Sequence, residues 1–165
     1  MVRGKGIAIF ALIIGILGLG LGIISVALPR GQNSGIQKTW FVYDSGVHFT
    51  NPTYTDIPIN TTTINFTVKS GESVYGLFNT HATLVDIGLA TIKFKFVLDG
   101  YVISSPVSPE TIISSDNQEM SVSVTLQMAT DTILPGFHTA TISIQGNFLN
   151  NAIDESTLLI QTYLP

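Results

Sequence analysis

The chain has 165 residues and no cysteine, which excludes disulfides and thiolate metal sites, so its stability must come from packing. Its formal net charge at pH 7 is −4, and from Gly31 onward four lysines and eleven carboxylates give −7. Because a surface of that sign repels phosphate backbones, we expect no nucleic-acid partner. The 137 residues from Pro29 onward are enough for one domain of ordinary size.

Residues 7–28 are twenty-two consecutive uncharged, mostly apolar residues. As a helix this run is about 33 Å long, enough to cross a hydrocarbon core of about 30 Å. Its glycines do not argue against a helix, because in lipid every backbone polar group must pair within the segment. The sequence therefore predicts one N-terminal transmembrane α-helix, preceded by a cytoplasmic basic tip at 1–6 and followed by a linker at 29–38.

The predicted helix carries small residues at a spacing of 3, 4, 3, 4 and 3. This is the 3.5-residue heptad period, and it leaves one helix face bare of bulky side chains, so that a second helix can approach closely. We expect the helix to self-associate through this face, whose members are Ala8, Ala11, Gly15, Gly18, Gly22 and Ser25.

The ends of the apolar run bear on orientation and processing. Arg3 and Lys5 precede the run, so the positive-inside rule favours a cytoplasmic amino terminus and an extracellular carboxyl-terminal domain. Three processing outcomes stay open. The length of the run favours an uncleaved anchor, whereas Ser25-Val26-Ala27 suits signal peptidase. Gly6 followed by Ile7 resembles the class III signal of archaeal pilins, which is cut just before the apolar helix.

From residue 39 onward, β-branched and aromatic runs alternate apolar with polar residues and are separated by Gly, Pro, Asn and Asp. Asp99-Gly100 is the strongest local hairpin signal. The pattern predicts about nine strands, at 39–49, 54–59, 62–69, 73–79, 90–98, 101–104, 120–128, 138–145 and 157–163. We therefore expect an all-β domain over 39–165, an antiparallel β-sandwich of jelly-roll type.

Five short motifs of this domain resemble, in their order, a broad group of prokaryotic and phage β-sandwich heads. They are GVHFT at 46–50, YTDIP at 54–58, VLDG at 97–100, LPGFHTATI at 134–142 and LLI at 158–160. Those heads are similar in layout to the trimeric jelly rolls of the tumour necrosis factor and complement globular-head superfamily. The resemblance implies an exposed, trimeric head and brings no enzymatic activity with it.

Two glycosylation sequons lie in the segment expected outside the cell. They are Asn60-Thr61-Thr62 and Asn65-Phe66-Thr67, which make Asn60 and Asn65 candidate acceptors for a glycan.

Metal-binding patterns are sparse in this sequence. Asp116 and Glu119 cluster oxygen ligands in a polar loop and are candidate calcium ligands, although the EF-hand pattern is absent. The histidines lack metal-ligand spacing, and we expect His138, beside Gly136, to bond backbone in a turn. The sequence indicates no cofactor.

A hydrolytic nucleophile has little support. The run at 71–75 fails the nucleophile-elbow pattern around Ser73, because Tyr75 replaces the second glycine and no helix follows. Trp40 and Tyr43 have two interpretations, a sugar-stacking platform or core aromatics of the first strand. We expect Phe78, Phe94, Phe96 and Phe148 in the core.

Together these patterns favour a surface-displayed protein and not an enzyme. The leading hypothesis is a single-pass membrane protein that displays its β-sandwich outside the cell for adhesion or recognition of a surface ligand or glycan. It would self-associate through its helix and its head. The alternative is a pilin-like subunit of an extracellular filament, cleaved before Ile7, with the helix packed in the filament core.

Overall fold

The computed structural model describes residues 35–85, 88–103 and 110–165 of the chain. The predicted helix at 7–28, its small-residue face and the candidate processing site at Gly6 and Ile7 lie outside these residues. None of the described residues belongs to a helix long and apolar enough to cross a membrane. The described chain is all-β apart from one 3-10 turn at Asn60–Thr62. Its strands are β1 (Gly35–Asp44), β2 (His48–Phe49), β3 (Ile57–Pro58), β4 (Ile64–Val68), β5 (Ser73–Leu84), β6 (Leu89–Leu98), β7 (Tyr101–Val102), β8 (Glu110–Asp116), β9 (Met120–Thr130), β10 (Gly136–Gly146) and β11 (Ala152–Leu164).

The strands form two antiparallel sheets. The first sheet has the order β1-β11-β5-β9, with β2 also paired to β11. The second sheet has the order β4-β10-β6-β8, with β3 also on β10 and β7 on β6. Without the two-residue strands β2, β3 and β7, eight strands remain, and they can be numbered 1 to 8 in chain order. In these numbers the strand order is 1-8-3-6 in the first sheet and 2-7-4-5 in the second. This is the strand order of a jelly roll.

The core lies between the two sheets and follows from the period-two alternation of the strands. In β6, Ile92, Phe94 and Phe96 are fully buried, while the lysines between them remain partly exposed. Phe78 of the first sheet contacts Phe94 of the second, with ring centroids 6.3 Å apart. The expectation that Phe78, Phe94 and Phe96 are core residues is confirmed, and Phe148 packs against the same cluster.

Of the differences from the predicted strand boundaries, three are the most informative. β1 begins at Gly35, within the predicted linker, because backbone pairing with β11 extends to Leu164 despite the polar sequence. The run at 39–49 divides into β1 and β2. β8 was not predicted. It is an edge strand paired with β6 along one side, and none of its residues is fully buried: exposed residues alternate with partly buried ones.

The Asp99-Gly100 hairpin is confirmed. It joins β6 to β7 with Leu98 opposite Tyr101, and both turn residues have positive φ, 52° and 82°. This is the backbone conformation that a two-residue type I′ turn requires.

The sandwich has two distinct ends. The base end is where β1 starts at Gly35, and it also holds the β4–β5 turn at 69–72, the Asp99-Gly100 hairpin and the β9–β10 loop at 131–135. The far end holds the connections at 45–47, 117–119 and 147–151, together with the end of β5 at Leu84 and the start of β6 at Leu89. The chain that precedes the domain therefore joins it at the base end.

Candidate functional site

The outward surface of the first sheet is built from aligned rows of side chains. Core residues such as Trp40, Phe78 and Ile160 point inward, so their immediate neighbours along each strand point outward. Pairing across β1, β11, β5 and β9 places twelve outward positions side by side, and none of them is formally charged. We call this set the uncharged face; its rows are Thr39, Gln161, Tyr75, Ala129, then Phe41, Leu159, Leu77, Gln127, then Tyr43, Thr157, Asn79, Thr125.

The uncharged face is apolar towards β1 and polar towards β9. Phe41 is 63% exposed and Tyr43 is 55% exposed, whereas Leu159 and Leu77 beside them are half-buried. Thr125 donates a hydrogen bond to Asn79 Oδ1 at 2.7 Å. The second sheet differs, because Lys93 and Lys95 on its outer surface pair with Glu110 at 2.8 Å and Asp56 at 2.7 Å.

A shallow depression of about 250 Å³ opens on the uncharged face in its far-end half. Tyr43 stands next to it, because Tyr43 pairs with Thr157 on the depression's rim. We call it the polar depression; its outward lining side chains are Asn79, His81, Ser123, Thr125, Glu155 and Thr157. All of them carry hydrogen-bonding groups, so the depression suits a ligand rich in donors and acceptors.

A β-bulge in β11 shapes the polar depression. Between Asp154 and Thr157 the pairing with β5 slips, so that Glu155 and Ser156 face Thr80 alone. Glu155 takes a positive φ of 45°. The Thr80 hydroxyl lies 2.8 Å from the carbonyl oxygen of Asp154 and 2.9 Å from Ser156 Oγ, which holds the bulge in place. Bulges commonly re-aim a side chain at a site, and here the bulge brings Glu155 to the depression.

The structure places Trp40 and Tyr43 on opposite faces of β1, so they form no shared platform, and the core interpretation holds for Trp40 but not for Tyr43, which is 55% exposed. Trp40 packs inward, with its ring centroid 5.7 Å from that of Phe66. Tyr43 points outward and shares its face with Phe41. The odd and even positions of a strand fall on opposite sides, and that rule applied to β1 would have paired Phe41 with Tyr43.

Each histidine is paired with an aspartate, but the three pairs lie apart. His48 Nε2 is 2.5 Å from Asp44 Oδ2, and His81 Nδ1 is 3.2 Å from Asp154 Oδ1. Hydrogen bonds from the Thr61 hydroxyl, the Gly46 N–H and His48 lower the pKa of Asp44 to about 2. Thr61 and His48 both contact the same carboxylate oxygen of Asp44. In a catalytic triad the histidine lies between the acid and the hydroxyl and bonds each with a different ring nitrogen, so this cluster does not have the geometry of a triad.

The third pair lies at the base end. His138 Nδ1 is 2.7 Å from Asp99 Oδ2, and its Nε2 is 2.8 Å from the carbonyl oxygen of Leu134. The expectation that His138 bonds backbone is confirmed, but the residue lies in β10 and not in a turn. Burial alone would raise the pKa of Asp99, but hydrogen bonds from His138 and the Thr139 N–H outweigh it and hold that pKa below its usual range.

The other sequence candidates are scattered. Asn60 and Asn65 are both exposed, and Asn65 accepts a hydrogen bond from the Thr139 hydroxyl at 3.0 Å. Asp116 and Glu119 flank the far-end turn between β8 and β9, and no group of three or more metal-ligating side chains occurs among the described residues. Ser73 is buried at the start of β5.

No family model matches this sequence, and no curated protein matches it. Solved structures do match. A chain of the infectious bursal disease virus Gt strain aligns with 79% of this chain at 11% identity and a TM-score of 0.50. This chain spans only 34% of that viral chain.

Two smaller domains are also similar. The globular domain of zebrafish complement 1qA aligns with 78% of this chain and 97% of its own, at 17% identity and a TM-score of 0.35. A xylan-binding domain of Paenibacillus barcinonensis aligns with 82% of this chain and 99% of its own, at 12% identity and a TM-score of 0.36. At these identities the likeness concerns the β-sandwich fold alone. No sequence match supports a phage-head or pilin family.

Proposed function

We propose that this chain is a membrane-anchored recognition protein whose β-sandwich is displayed outside the cell. In this proposal residues 7–28 hold the chain in the membrane, with the amino terminus in the cytoplasm. The length of that uncharged run and the basic residues before it support this arrangement. The protein acts by binding and not by catalysis.

The observation that carries the proposal is the uncharged face with its polar depression. Tyr43 offers an exposed aromatic ring, and Asn79, Thr125 and Thr157 next to it offer donors and acceptors. Sugars combine apolar ring surfaces with many hydroxyl groups, so an aromatic side chain beside a polar depression suits them. We therefore assign a glycan as the ligand class.

A glycan array probed with the full chain in nanodiscs tests this assignment. We expect binding to a subset of glycans, and we expect Tyr43→Ala to weaken it by about tenfold through lost stacking and burial. Tyr54→Ala is the matched control, because Tyr54 is an exposed tyrosine just before β3 of the second sheet, away from the depression. An array without binding, or equal losses for the two variants, would contradict the assignment.

Self-association is the second part of the proposal. The small-residue spacing at 8–25 supports close packing between helices. Replacing Gly18 and Gly22 with Leu should lower the oligomer number in detergent if the helix mediates assembly. An unchanged number would assign assembly to the head.

A pilin-like filament subunit is the alternative function. The same small-residue spacing favours it, since a filament core also needs closely packed helices. The intact mass of the mature protein separates the two functions. Loss of residues 1–6 favours the filament, whereas their retention favours the anchor. Loss of residues 1–27 would contradict both.

A further inference from the structure

The base end carries three strongly exposed apolar side chains. Tyr101, Leu134 and Phe137 are 79%, 76% and 70% exposed, the highest values among the large hydrophobic residues that the structure describes. Tyr101 follows the Asp99-Gly100 hairpin, whereas Leu134 and Phe137 belong to the β9–β10 connection and the start of β10. We call these three residues the apolar tip. Phe137 pairs with Thr67 on the outward side of the second sheet, and Tyr101 pairs with Leu98 on its inward side, so these side chains are spread over the base end.

His138 joins the two segments that carry the apolar tip. Its ring bonds Asp99 of the hairpin on one side and the Leu134 carbonyl of the loop on the other, at 2.7 and 2.8 Å. Asp99 Oδ1 also accepts a hydrogen bond from the Thr139 N–H at 2.8 Å. Because these bonds fix both segments to β10, the tip is presented on a supported backbone.

The position where the preceding chain joins the domain indicates what the apolar tip meets. β1 starts at Gly35, at the base end. Six residues, 29–34, separate it from the uncharged run at 7–28, and six residues span at most about 20 Å. If that run lies in a membrane, as proposed above, the base end is held within about 20 Å of the lipid surface, with the apolar tip on that same end.

We propose that the apolar tip contacts the outer surface of the lipid bilayer and so sets the orientation of the head. This inference rests on the proposed membrane anchoring. Leucine, phenylalanine and tyrosine are suited to the boundary between water and hydrocarbon. The contact orients the far end, and with it the polar depression, away from the membrane.

The charges of the base end indicate an apolar contact and not an electrostatic one. Lys38 and Lys69 lie there, but so do Glu72 and Asp131, and Asp99 is paired with His138. The domain as a whole is acidic, with four lysines against eleven carboxylates from Gly31 onward. Zwitterionic phosphatidylcholine should therefore suffice for the contact, and added salt should change it little.

Site-directed fluorescence in proteoliposomes tests the proposal with the full chain. The chain contains no cysteine, so Lys69→Cys places one fluorophore at the base end and Gln118→Cys places one at the far end. The vesicles contain phosphatidylcholine with a quencher attached to its headgroup. We expect strong quenching of the base-end label and weak quenching of the far-end label.

A variant without the apolar tip separates contact from mere tethering. Tyr101→Ser, Leu134→Ser and Phe137→Ser combined with Lys69→Cys should lose most of the quenching while the chain still floats with the vesicles. Circular dichroism checks that the variant is folded. If it unfolds, the single Phe137→Ser variant replaces it and should show a partial loss.

The outcomes distinguish this inference from the anchoring on which it rests. A chain that floats, with a base-end label no more quenched than the far-end label, overturns the tip contact and leaves the anchor intact. Unchanged quenching in the serine variant does the same. A wild-type chain that fails to float overturns both.

Discussion

His138 Nδ1 lies 2.7 Å from Asp99 Oδ2, and this pair connects the hairpin after β6 to β10. The second ring nitrogen of His138 bonds the Leu134 carbonyl, so one side chain, 11% exposed, joins two base-end segments. The pair therefore stabilises the fold and also positions the apolar tip.

Removal of the His138 ring should destabilise the domain. His138→Leu leaves the Asp99 carboxylate and the Leu134 carbonyl without this partner, at a cost of about 1–3 kcal/mol in the free energy of unfolding. His81→Leu is the matched control, because His81 is more exposed and makes one contact, at 3.2 Å, with Asp154. Urea unfolding of the two variants in the same detergent measures the difference, and equal losses would contradict the role of His138.

Acid should weaken the domain through Asp44. Its pKa is about 2 in the folded chain and 3.8 for an unperturbed aspartate. A group whose folded pKa is depressed stabilises the fold above its unfolded pKa, and that stabilisation is lost as the pH falls through the folded pKa. We expect the free energy of unfolding to decrease between about pH 4 and pH 2.

The Asp44→Asn variant should lose less stability over the same pH window, because amides do not titrate. Asp131→Asn, in the β9–β10 loop, is the control. Denaturant titrations at several pH values compare the slopes of stability against pH. A slope for Asp44→Asn as steep as that of the wild type would exclude Asp44 as a source of the acid sensitivity.

The same substitution at two phenylalanines should separate the core from the apolar tip. Phe78 is fully buried, so Phe78→Ala should cost about 3–5 kcal/mol of unfolding free energy. Phe137 is 70% exposed, so Phe137→Ala should change stability by less than about 0.5 kcal/mol. Thermal or urea unfolding of both variants provides the values. A large loss for Phe137→Ala would mean that this side chain has a structural role.

The Thr80 hydroxyl should maintain the bulge at the polar depression. Thr80→Val keeps the shape of the side chain but removes the contacts with the Asp154 carbonyl and Ser156, at a cost of about 1 kcal/mol. Amide hydrogen exchange at 154–157 should become faster. Thr67→Val, on the exposed side of β4, is the control and should leave exchange in the bulge unchanged.

The two sequons should differ in occupancy. Asn65 and Thr67 are both exposed on β4, whereas Thr62 of the first sequon is fully buried and its hydroxyl bonds the Ile59 carbonyl. In a glycosylating host we expect the glycan on Asn65 in preference to Asn60, detected by peptide mass spectrometry. Asn65→Gln should remove it, whereas a glycan confined to Asn60 would contradict the argument.

The fold could be predicted from sequence where the signal is local. Alternation in β4 and β6 identifies the buried face, because each strand reverses side at every residue. Asp99-Gly100 specifies its hairpin because the turn needs two residues at positive φ. β8 has no such signal: its residues pair with β6 at an edge, and its polarity resembles that of a loop.

The candidate site could not be predicted, because it depends on pairing between distant strands. Phe41, Leu159 and Leu77 form one row only through the registers of β1 with β11 and of β11 with β5. The positive φ of Glu155 at the bulge has no sequence signal comparable to glycine. The placement of Trp40 and Tyr43 on opposite faces could have been predicted from the sequence, because side chains alternate between the two faces of a strand.

The orientation of the chain in the membrane is the claim on which the proposed function depends most, and labelling of intact cells with a membrane-impermeant maleimide tests it most directly. Two full-length variants suffice, Gln118→Cys at the far end and Val2→Cys in the basic tip, since the chain has no other cysteine. We expect Gln118→Cys to be labelled in intact cells and Val2→Cys only after lysis. Labelling of Val2→Cys in intact cells, or protection of Gln118→Cys until lysis, would contradict display of the head outside the cell.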